Sequence, residues 1–127
     1  MRVSREWKDS SVDLAVLSKR LECFFRTKGL HTEETSSRDN FKILLSQSKR
    51  ALGIYVEVIG LPSDFEVDFV LDERSDFKIM GSVLSVFLGG GLSLIALRSK
   101  ELFEKLEPEF WAYVEKTIEE LSVPKHD

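Results

Sequence analysis

The 127-residue chain is long enough for one hydrophobic core and too short for two independent ones, so a single domain is expected. At 43% hydrophobic and 31% charged residues it carries the apolar surface needed to offset chain ordering, which excludes a disordered segment. A formal net charge of -4 with no dense run of Lys and Arg excludes a surface that tracks a phosphate backbone, and Lys49 and Arg50 read as a solvated loop. The single cysteine, Cys23, rules out an internal disulfide and suits a reducing, cytoplasmic setting.

The opening stretch MRVSREWKDSS lacks the apolar run of a signal peptide, and residues 1–9 are expected to be flexible. Ser10 or Ser11 can cap a helix in which Leu14, Leu17, Leu21, Phe24 and Phe25 share one stripe, with Gly29 placed to end it. Val12, Val16 and Cys23 form a weaker apolar edge on the other side. Between Leu30 and Asp72 the period shifts to two, and breaks at residues 36–40, 46–53 and 60–64 divide the segment into four antiparallel strands. These fall near Leu30 to Thr35, Phe41 to Leu45, Ile54 to Ile59 and Phe65 to Leu71. In the fourth, Phe65, Val67, Phe69 and Leu71 alternate with Glu66, Asp68 and Val70, the pattern of a sheet covered on one side.

Residues 79–97 contain no charge and hold the triplet Gly89, Gly90 and Gly91. The run is about long enough to span a bilayer, but its flanks mix charge signs and lack an aromatic belt, which favours a tightly packed helical pair over a membrane-associated segment. Gly81, Ser85, Gly89 and Ser93 recur every four residues, a spacing that lets helices approach closely. An apolar surplus on such a pair calls for a second copy, so a homodimer with part of Gly81 to Leu97 at its interface is expected. Phe77 to Leu88 reads as helix, with a fifth strand as the alternative. Ser99 to Leu106 follows as helix, a break near Glu107 is expected, and Pro108 opens a last helix carrying Phe110, Trp111, Val114, Ile118 and Leu121. Residues 123–127 should fray.

Chemistry is sparse. If Val58 pairs with Val67, Glu57 faces Asp68, and this like-charge pair requires compensation from Lys42 or from a cation held by Glu57, Glu66 and Asp68; the salt-bridged surface is the preferred reading. His31 and His126 are too distant to suggest a metal site, and Cys23 has no nearby base in sequence. The triple glycine sits in a greasy context without a phosphate-loop or dinucleotide-binding motif. No catalytic set, metal or cofactor is expected. The fold class is therefore α+β: an N-terminal helix, a four-stranded antiparallel sheet, and two or three C-terminal helices on one sheet face. The leading functional expectation is a non-catalytic domain for protein interaction or self-assembly. The alternatives are a binder of a small apolar or amphipathic ligand between sheet and helices near Phe87, Phe103 and Trp111, and a membrane-associated accessory protein using residues 79–97.

Overall fold

A computed structural model describes residues 1–48, 50–72 and 91–122. In chain order the elements are β1 (Arg2–Lys8), α1 (Leu14–Thr27), β2 (His31–Ser37), β3 (Asn40–Gln47), β4 (Arg50–Leu61), β5 (Asp64–Leu71) and α2 (Gly91–Ser122). The class is α+β, with one five-stranded antiparallel sheet in the order β1-β5-β4-β3-β2 and two helices among the described residues. Strands β2 to β5 form a meander, and β1 adds to its far end. The first two strands thus occupy opposite edges, and α1 is the connection between them.

Period-two alternation sets the faces. Ile54, Val56 and Val58 of β4 and Phe65, Val67, Phe69 and Leu71 of β5 are all 2% exposed or less and point toward the helices. The pairings Val58 with Val67, Glu57 with Asp68 and Lys42 with Glu57 are those expected from the sequence. Between β4 and β5, Leu61 pairs with Asp64 and leaves a loop of Pro62 and Ser63. Gly60 enters this turn with φ +128°, and a Cβ there would stand 2.5 Å from the Asp64 carbonyl oxygen, so only glycine fits.

The sequence expectations need three corrections. The N-terminal segment is not frayed: residues 2–8 form a fifth strand, β1, paired with β5 from Arg2 opposite Val70 to Lys8 opposite Asp64. Helix α1 is capped by Asp13 rather than Ser10 or Ser11, its carboxylate accepting from the amides of Ala15 (3.0 Å) and Val16 (3.3 Å). At its other end Gly29 adopts φ +85° and Leu30 N–H donates to the Phe25 carbonyl at 3.1 Å, as the glycine predicts.

The third correction is at Pro108, where the expected break does not occur and α2 runs through. An interior proline costs about 3 kcal/mol, because it removes one N–H and crowds the preceding turn. Packing on both sides of it outweighs that cost. Phe69 stacks on Phe103 (centroids 4.5 Å apart) before the proline and on Phe110 (4.6 Å) after it, so one β5 ring spans the site. Phe103, Leu106, Phe110, Trp111 and Val114 are all buried, each contributing about 1.5–3 kcal/mol. Of the expected C-terminal helices, α2 lies among the described residues, while the helix reading of Phe77 to Leu88 lies outside them. Both helices pack on the same sheet face: Phe25 of α1 stacks on Phe110 of α2 at 5.6 Å and on Phe69 at 6.3 Å. No described helix is long and apolar enough to cross a membrane.

Candidate functional site

The sheet face turned away from the helices brings together the three acids singled out in the sequence. Glu57 stands directly opposite Asp68, and Glu66 lies two residues before Asp68 on the same face. β1 then adds Glu6 directly opposite Glu66 and Ser4 opposite Asp68. Like charges facing each other across a strand pair are unfavourable, and the structure shows what offsets them. Arg2 reaches diagonally from β1 to ion-pair with the Asp68 carboxylate, and Asn40 Nδ2 donates to Glu57 Oε2 at 3.3 Å. Lys42 is opposite Glu57, and its ammonium rests over the Tyr55 ring, 4.4 Å from the centroid.

Asp68 is 1% exposed, and its Oδ1 has no donor among the described residues. Glu66 is a hydrogen-bond partner for Asp68 when its carboxyl is protonated. That bond to Asp68, followed by burial and by the charges of Asp68 and Glu6, raises the Glu66 carboxyl to about 7, with Arg2 opposing. The Tyr55 phenol is raised as well, first by burial. The row is an acid cluster stapled by Arg2. Among the described residues no group of three or more His, Cys, Asp or Glu is placed to hold a metal ion.

The other sites expected from the sequence are placed as follows. Phe103 and Trp111 are buried core residues, 1% and 3% exposed, and their rings pack against Phe69 and Phe110. Gly91 opens α2 and Ser93 lies in its first turn. Gly81, Ser85, Phe87, Gly89 and Gly90 lie outside the described residues.

The feature that sequence reasoning missed is the open edge made by β1. Met1 exchanges both backbone hydrogen bonds with Leu71 (3.0 and 2.8 Å), so by antiparallel alternation Val3, Arg5 and Trp7 bond to β5. The N–H and C=O groups of Arg2, Ser4 and Glu6 therefore point outward, where no strand among the described residues pairs with them. Beside this edge an open cleft of about 600 Å³ lies between β1 and α2, lined by Arg5, Glu104, Glu107, Pro108, Trp111 and Glu115. Arg5 ion-pairs with Glu115 and lies over the Trp111 ring at 4.7 Å. The sequence signal was the alternation in RVSREWK, in which Val3 and Trp7 share a face and charges fill most other positions, as on a guarded edge strand. No family model, curated protein or solved structure matches the chain.

Proposed function

We propose that the chain is a non-catalytic domain, cytoplasmic in setting, that assembles with itself or binds a protein partner through the open edge of its sheet. The supporting observation is the β1 edge: outward backbone donors and acceptors at Arg2, Ser4 and Glu6, flanked by a cleft that a neighbouring strand leaves accessible. Unpaired strand edges are templates for another chain, and main-chain hydrogen bonds supply affinity while alternate side chains supply selectivity.

Sedimentation from about 1 to 100 µM, the range in which weak strand-mediated contacts form, tests the self-assembly arm. Hydrogen exchange of the β1 amides reads both arms, because pairing at this edge slows exchange at Arg2, Ser4 and Glu6. A chain that stays monomeric throughout, with these three amides unprotected in cell extract as well as in buffer, overturns the reading.

A further inference from the structure

The geometry points to a second copy of this chain as the occupant of the β1 edge, paired antiparallel about Ser4 so that Arg2 of each copy faces Glu6 of the other. This rests on the self-assembly reading above and specifies its surface and register.

The register follows from which residues face outward. Only pairings that match the outward groups of Arg2, Ser4, Glu6 and Lys8 with one another preserve the ladder. Shifting the strands so that Arg2 meets Lys8 opposes two cations, and centring on Glu6 opposes two carboxylates. Centring between two positions sets an outward residue against an inward-bonded one, and centring on Val3 pairs Arg2 with Ser4 and leaves Glu6 without a cation. Centring on Ser4 makes both end pairs Arg2 with Glu6, on the side of the sheet that bears the acid cluster, with Ser4 facing itself on the two-fold axis. The contact is isologous, as a closed dimer requires. All outward groups of Arg2, Ser4 and Glu6 are then satisfied in both copies.

Three further observations fit this arrangement. Glu6 faces Glu66 within its own chain, so it lacks a cation across the strand pair; the Arg2 guanidinium of the second copy would arrive on its other side. Arg2 is able to serve two acids, because its side chain is half exposed while bound to Asp68 and a guanidinium carries five N–H donors. On the helix-facing side the same register sets Met1 opposite Trp7 of the second copy. Met1 is 51% exposed in the single chain, and a thioether beside an indole is a favourable contact.

The helices leave room. The α2 backbone runs over β4 and β5 and meets β1 through the Arg5 side chain, and β5 lies about 7 Å from the two-fold, one and a half strand spacings of about 4.8 Å. The two α2 helices are thus about 14 Å or more apart, beyond the roughly 8–10 Å of packed helices.

The test uses the full chain in sedimentation and cross-linking. Ser4→Pro removes only the outward N–H of that residue and leaves the bonds to β5 in place, so the far-ultraviolet spectrum should be kept while dimer affinity falls at least tenfold. Glu6→Arg should weaken the dimer by a similar factor while raising the melting temperature of the single chain, because it replaces the Glu6–Glu66 repulsion with attraction. These opposite signs separate lost pairing from lost folding. In a Cys23→Ser background, Ser4→Cys should form a disulfide-linked dimer on mild oxidation, since residue 4 meets itself. A dimer that withstands both Ser4→Pro and Glu6→Arg and gives no residue-4 cross-link overturns this inference, assigns the contact to another surface such as residues 81–97, and leaves self-assembly standing. A chain monomeric at every concentration overturns both.

Discussion

The two edges of the sheet are secured to their helices by different means. On β2 the helix-facing positions are polar. Ser18 Oγ donates to Glu34 Oε2 at 2.8 Å, Lys19 Nζ lies 3.4 Å from Glu34 Oε1, and Arg26 Nε donates to Thr32 Oγ1 at 3.1 Å. Buried Glu22 accepts from Thr32 at 3.5 Å with Lys19 at 3.8 Å and Arg26 at 4.0 Å. On β1 the corresponding positions are Val3, Arg5 and Trp7, held by a Trp7–Phe65 stack at 5.6 Å and by Arg5 over Trp111. The β2 groups have specific partners on α1 and commit that edge to its own helix. The β1 groups are held by shape and one cation, while Arg2 and Glu6 lie on the other face, where Arg2 pairs with Asp68 and keeps its side chain half exposed.

Both edges depend on one core, and removing its central ring should erase the difference between them. Phe69→Ala takes away a fully buried ring that stacks on Phe25, Phe103 and Phe110, and the expected loss is about 3–5 kcal/mol. Urea unfolding measures it, and amide exchange should accelerate on β1 and β2 together. If β2 alone keeps its protection, the sheet does not share a single core.

Ser18→Ala should separate the edges. The hydroxyl is buried and donates to a carboxylate, so its loss should cost about 1–2 kcal/mol, with faster exchange confined to β2 and the start of β3. The matching change at the other edge, Arg5→Ala, should cost about 1 kcal/mol or less, because its ion pair with Glu115 is solvent-exposed and the ring contact adds only a modest term. Its effect should appear on β1 and not on β2. Equal losses from the two substitutions would mean that the polar network on β2 contributes no more than an exposed pair.

The edges also differ in how far sequence reveals them. The meander and its register follow from period-two alternation in β4 and β5, and Glu57 opposite Asp68 follows from that register. β1 is obscured because Arg5 occupies a helix-facing position, which breaks the apolar alternation; its guanidinium is accommodated by Trp111 and Glu115, more than a hundred residues along the chain. The continuity of α2 is hidden for a similar reason. A proline at residue 108 reads locally as a stop, and only the long-range stacking of Phe69 on both flanking turns overrides it. The acid cluster was half visible: Glu57, Glu66 and Asp68 could be placed together, whereas Arg2 and Glu6, which determine its electrostatics, belong to the strand that was missed.

The smallest and sharpest expectation concerns Glu66, where the β1 edge and the acid cluster meet. Its carboxyl is raised to about 7 in the fold by the hydrogen bond to Asp68, by burial and by the Asp68 and Glu6 charges. In the unfolded chain it titrates near the ordinary value of about 4.3. Between these values the folded state binds the extra proton, so this group's contribution to stability is fully present below the unfolded value, declines as pH rises, and is lost once pH passes about 7. Glu66→Gln keeps a donor for Asp68 and removes the titration. The variant should match the wild type below about pH 4 and exceed it at about pH 8, with β1 amides better protected there. If wild type and variant keep the same pH dependence of urea midpoint across this range, then Glu66 does not hold its proton in the fold.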